Sequence, residues 1–109
     1  ESRPTVRKPI YSTLPLDIPE FREIVESFVG CMDDTMKSLR AAQARMDYQE
    51  VREIAHRLKG TGGTVGFAAF TEPSRKLQFA AEERDDETIE AMLVELEDIS
   101  SRIELPLEA

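Results

Sequence analysis

One histidine, His56, stands in the run Ala55-His56-Arg57-Leu58-Lys59-Gly60-Thr61-Gly62-Gly63-Thr64-Val65-Gly66. A histidine side chain is largely neutral at cytosolic pH, and a neutral ring nitrogen that a partner can reach is a competent nucleophile. Lys59 follows three residues later and Gly60 four, spacings that bring both close to the imidazole on a helix. Arg52 lies one turn earlier on the same side. Two cations beside an exposed imidazole attract phosphate or another anion. Four glycines between positions 60 and 66 are expensive in a helix, about 1 kcal/mol each relative to alanine, and something must offset that cost. One answer is access to the imidazole by another protein.

Other chemistries fit poorly. A phosphate-cradling P-loop needs Lys-Ser/Thr after its last glycine and a strand before the first, whereas Lys59 precedes the glycines here. No G-x-G-x-x-G can be aligned. One histidine and one cysteine make a thin metal set. Ser27 and Ser74 have no hydrolase context.

The elements that position His56 read as four helices. The first opens at Asp17, with Glu20 at capping-box spacing. Phe21, Ile24, Val25, Phe28, Met32, Met36, Leu39 and Met46 form its apolar stripe. The second opens at Asp47 with Glu50 three residues on, and Val51, Ile54, Ala55, Leu58, Gly62 and Val65 make its inner face. His56, Gly60 and Gly63 lie roughly 120–190° from that face and turn outward, with Lys59 on their flank. The third helix lies between Ala68 and Arg84, with Thr71 as N-cap, Pro73 in the first turn and Leu77, Ala80 and Ala81 inward. The fourth starts after Asp85 or Asp86 and carries Ile89, Met92, Leu93, Leu96, Ile99 and Ile103 on its stripe. Short connections favour an antiparallel up-down four-helix bundle, an all-α fold. Pro4, Pro9 and Pro15 mark residues 1–17 as a linker or extended arm. Residues 18–104 form the bundle, and 105–109, with Pro106, read as a tail.

Composition agrees with one small helical domain. The chain has 109 residues, 40% of them hydrophobic, with 14 basic residues against 22 acidic and a net charge of −8. That balance argues against nucleic acid and against anionic membrane surfaces as partners. No run approaches the roughly 20 apolar residues of a spanning helix, and no signal peptide is visible. Cys31 is alone and reads as a buried core thiol of a reducing compartment.

The run from Ala55 to Phe67 resembles the signature of histidine-containing phosphotransfer (HPt) domains: His-x-Leu-Lys-Gly, two small residues, a variable pair, an apolar residue and Gly. The similarity extends from about residue 10 to residue 104. It takes in the long first helix, Asp47 nine residues before His56, and Lys76-Leu77-Gln78 on the third helix.

This resemblance implies a cytoplasmic phosphorelay intermediate. His56 accepts a phosphoryl group through Nε2 from a receiver-domain aspartate and surrenders it to another receiver. Lys59 offsets the phosphate's charge, Gln78 hydrogen-bonds the imidazole or phosphate region, and Gly60 and Gly63 leave room for the receiver. Arg52, Arg57 and Lys59 meet the receiver's acidic pocket, and Phe67 supplies apolar docking area. The chain needs no cofactor or metal; the Mg²⁺ belongs to the receiver. The resemblance implies a phosphotransfer protein without ATP-dependent kinase activity, and four helices in one chain favour a monomer. Three alternatives stand against this: a helical docking module that accepts no phosphate, a histidine-kinase dimerisation region, and a bundle with an incidental histidine. Kinase regions favour an acid directly after the histidine, where this chain has Arg57.

Overall fold

Proline decides where the first helix begins. A computed structural model describes residues 8–105. In it α1 spans Pro19–Ala44, with Ile18 extended (φ −87°, ψ 116°) at the N-cap. The residue before a proline is pushed out of the helical region, so Pro19 fixes the start and Asp17 lies outside, not at the predicted cap. No side chain caps this end.

The other helices follow in α2 (Tyr48–Thr64), α3 (Thr71–Glu82) and α4 (Asp86–Arg102). Asp47 accepts a hydrogen bond from Glu50 N at 3.1 Å, the predicted cap of α2. Asp85 does the same for Thr88 N at 3.2 Å in α4. A single 3₁₀ turn, Ala68–Phe70, runs straight into α3, so Thr71 is already helical and does not serve as the N-cap. Pro73 falls in the first turn as expected, where a missing N–H is tolerated.

The chain turns by one recurring device. After α1, Met46 takes φ 56°, with Met46 N–H donating to Gln43 O and Asp47 N–H to Ala42 O. After α3, Arg84 takes φ 55°, with the matching bonds to Ala81 O and Ala80 O. These are left-handed helix terminations in which Asp47 and Asp85 close one helix and cap the next. After α2 the same pattern uses Gly66 (φ 88°), with Phe67 N–H donating to Gly62 O at 2.8 Å.

Each helix packs on the next, and α4 packs back on α1. Val25, Phe28 and Leu39 of α1, Val51 and Leu58 of α2, Leu77 of α3 and Leu93 and Leu96 of α4 build one buried core. Three expectations about the stripes need correction. Ile24 is 47% exposed, Met46 lies beyond α1 in the turn, and Ile103 lies past α4 in a short strand, still buried. Cys31 is exposed rather than buried.

Two-residue strands, β1 (Ile10–Tyr11) and β2 (Ile103–Glu104), pair in parallel. Beyond β1, Ser12 Oγ donates to Val65 O at 2.5 Å and Thr13 N–H to Gly66 O at 3.0 Å. Residues 10–14 therefore bridge the end of α4 to the end of α2, a contact that the proline-marked segment did not disclose. The start of the predicted linker, with Pro4, and the predicted tail from Pro106 onward lie outside the described residues.

Candidate functional site

Residues 48–64 are helical because Asp47 caps them and because Val51, Ile54, Ala55, Leu58 and Gly62 recur on one side and are buried there. His56 falls between these steps and is exposed. Its Nδ1 lies 3.4 Å from Gln78 Oε1, at the long end for a hydrogen bond. α3 supplies Gln78 because Leu77, Ala80 and Ala81 anchor that helix inward, leaving position 78 at the border with α2. Sequence similarity alone had linked these two residues; the geometry places their side chains together.

Lys59 is partly buried on the flank of His56 and has no carboxylate partner among the described residues. Arg57 is exposed and turned toward α1, where it lines an open groove of about 610 Å³ with Ile24, Cys31, Glu50 and Thr61. Arg52 lies 4.0 Å from Glu82 of α3, so its charge is already matched by a carboxylate. The predicted basic cluster thus separates: Lys59 stays beside the imidazole, Arg57 faces the α1 side, and Arg52 is paired.

The glycines divide further than helix phase foretold. A Cβ on Gly60 would meet nothing within 4 Å. On Gly62 it would lie 2.8 Å from Phe70 Cβ, so the 3₁₀ turn presses on α2 where there is no side chain. Gly63 is exposed, and a Cβ there would make ordinary contact with Thr71 Oγ1 at 3.7 Å. Gly66 has the left-handed φ and the strap residues Ser12 to Leu14 lie against it. Of the two outward glycines, only Gly60 opens on space free of protein.

Phe67 is not a docking residue. It is 1% exposed and belongs to an aromatic cluster, its ring centroid 5.7 Å from Phe28 and 6.3 Å from Phe70. As the residue after the left-handed Gly66 it is the position that packs back on its own helix, which explains its burial. Among the described residues, no group of three or more His, Cys, Asp or Glu is placed to hold a metal ion. No helix there is long and apolar enough to cross a membrane.

The site thus brings together a surface imidazole on a capped helix, an amide from the neighbouring helix, a lysine on the flank and an open glycine. Comparison with models of protein families matches the Hpt domain over residues 23–104. The chain belongs to the Hpt domain family. Hpt domains are phosphotransfer modules of two-component phosphorelays rather than kinases, and they interact with receiver domains. No curated protein and no solved structure matches the chain significantly. The match takes in α2, α3 and α4 and most of α1, so the four-helix core and the His56 face fall within it.

Proposed function

We propose that His56 is the phosphoacceptor, taking a phosphoryl group from a receiver aspartate and passing it to the aspartate of another receiver. The observation that carries this reading is the exposed imidazole with Nδ1 turned to Gln78 Oε1. In this reading the amide oxygen accepts from Nδ1, which holds the ring proton, and Nε2 keeps its lone pair. In the forward step that lone pair attacks phosphorus. The P–N bond forms, the P–O bond to the receiver aspartate breaks, and its electron pair returns to the carboxylate. The Nδ1 proton stays on the ring, beside Gln78. The return step reverses this toward the second receiver. Phosphoryl transfer of this kind is mostly positioning and charge compensation, which need no general base on this chain.

Lys59 offsets the phosphoryl charge, and Gly60 admits the receiver's active-site edge. Arg57, without a carboxylate partner among the described residues, offers its cation to the receiver's acidic pocket, while Arg52 is shared with Glu82 in a loose 4.0 Å contact. The Mg²⁺ of the reaction sits on the receiver. The architecture that serves this is an antiparallel up-down bundle acting as a cytoplasmic monomer. The order of contacts supports the antiparallel arrangement alone: Arg52 with Glu82 and His56 with Gln78 between α2 and α3, and Arg40 with Glu97 and Gln43 with Glu90 between α1 and α4.

The test is label transfer from a phosphorylated receiver to the wild-type chain and to His56→Gln. Acid-labile, alkali-stable label on the wild type alone supports the relay. Absence of label with several active receivers would sink it and favour a pure docking module. Label from ATP alone would favour a kinase.

A further inference from the structure

α2 and α3 meet in a fixed register. Arg52 lies against Glu82, His56 against Gln78, and Gly63 against Thr71. Every step toward the C-terminus of α2 is matched by an equal step toward the N-terminus of α3. The same register sets Arg75 level with Lys59. On α3, Arg75 is one turn before Gln78 and about 60° around the helix from it, on the flank that borders α2. Packed helices stand about 8–10 Å apart, a gap that a long arginine side chain can cross.

Arg75 is held elsewhere in the unphosphorylated chain. Its Nε donates to Glu72 Oε1 at 3.1 Å and its Nη2 to Glu72 Oε2, and the guanidinium stands over the Phe79 ring at 5.8 Å. Both sides of the ion pair are well exposed, 44% for Arg75 and 60% for Glu72, so water competes with it and the pair exchanges readily.

A phosphoryl group adds about −1.5 to −2 charges at neutral pH. Of the other cations near His56, Arg57 faces the α1 groove, and Arg52, one turn earlier on α2, stands 4.0 Å from Glu82 in a loose and exposed pair, level with Glu82 and not with the imidazole. Lys59 alone leaves net negative charge on the group. A guanidinium presents a planar fork that fits two phosphate oxygens, which an ammonium cannot do.

We propose that Arg75 is a second phosphate-binding residue of this site. The phosphoryl group on His56 draws the guanidinium from Glu72 across the α2–α3 border to its oxygens beside Lys59. Glu72 competes with the phosphate and sets how firmly the group is held. No covalent bond changes at Arg75; one ion pair is exchanged for another. The proposal rests on His56 as phosphoacceptor.

Phosphoramidate tests it, because a small donor removes receiver docking from the measurement. Phosphohistidine formation is followed by ³¹P NMR on the full chain for wild type, Arg75→Gln, Arg75→Lys and Glu72→Gln, with circular dichroism confirming the fold. Arg75→Gln is expected to slow formation about fivefold, the effect of one exposed charge at close range. It also raises the pH midpoint of the phosphohistidine ³¹P shift, since a lost cation makes the phosphate easier to protonate. Arg75→Lys restores part of both, and Glu72→Gln speeds formation. An Arg75→Gln protein with wild-type rate and wild-type ³¹P midpoint overturns the proposal while leaving His56 as acceptor. If Arg75→Gln fails to fold, an unchanged rate and midpoint in Glu72→Gln overturn it instead. A wild-type chain that forms no phosphohistidine overturns the reading beneath it.

Discussion

The α2–α3 face around His56 and the α1–α4 face around Arg40 use polar groups in opposite ways. On α1–α4, Arg40 makes two bonds to Glu97, at 2.8 and 2.7 Å, and one to Glu90 at 2.8 Å, while Gln43 donates to Glu90 at 2.7 Å. Every strong donor there has an acceptor of its own chain. Those hydrogen bonds hold both carboxyls below their usual range and push the Arg40 guanidinium further up. On α2–α3, Lys59 has no carboxylate partner among the described residues, the contact of His56 is long, and Gly60 clears the space alongside. A satisfied network fixes helices to each other. An unsatisfied one has bonding capacity left for a ligand that arrives later.

Four substitutions can break or sharpen that contrast. The largest effect belongs to the underside of the histidine helix. Gly62→Ala drives a Cβ against Phe70 Cβ and should cost about 2 kcal/mol, read as a lower urea midpoint. Two residues away, Gly60→Leu should leave that midpoint in place and slow transfer from a phosphorylated receiver about tenfold, as a misplaced partner does. Unchanged transfer would remove the clearance argument. Next comes Arg40→Gln, expected to lower stability by at most about 1 kcal/mol, since Arg40 is one-third exposed and its carboxylate partners more so, and to leave phosphotransfer alone.

The pH dependence of the same variant adds detail. Glu90 and Glu97 are depressed by Arg40, so their contribution is present above the unfolded value of about 4.3 and disappears as pH falls through the folded values. Acid melts of the wild type should therefore lose stability more steeply below about pH 4.3 than those of Arg40→Gln. The smallest effect is at Ser74, buried with a hydroxyl that has no hydrogen-bond partner among the described residues. Ser74→Ala should raise stability by up to about 1 kcal/mol in the same urea assay, because an unsatisfied hydroxyl leaves the core.

Much of the site was legible because helix phase is a short-range property. The Asp47 cap, the burial of Val51 and Leu58 and the outward placement of His56 read correctly from spacing alone, since the cap and the 3.6-residue period lie within one segment. What spacing could not reveal depends on partners distant in sequence. Gly63 faces Thr71, Gly66 faces Ser12, and Arg52 meets Glu82, contacts that appear only when the helices pack. Phe67 failed for a related reason: a phenylalanine just past a glycine reads equally as surface anchor or core plug, and the left-handed Gly66 decides for the core. The turns at Met46 and Arg84 carried no glycine to announce them, so the first helix was read too far. Pro19 did give a signal for the start of α1, through its effect on Ile18, and the capping-box spacing at Asp17 outweighed it.

The central claim is that His56 takes the phosphoryl group through Nε2 while Nδ1 keeps its proton beside Gln78. ¹⁵N-edited NMR of the ring, recorded before and after incubation with a phosphorylated receiver, tests it most directly. The account predicts phosphorus coupling at Nε2 of His56 with the Nδ1 proton retained, and no phosphoryl label on His56→Gln, which has no imidazole. Coupling at Nδ1, or an imidazole unchanged while label enters the chain at another residue, would contradict it.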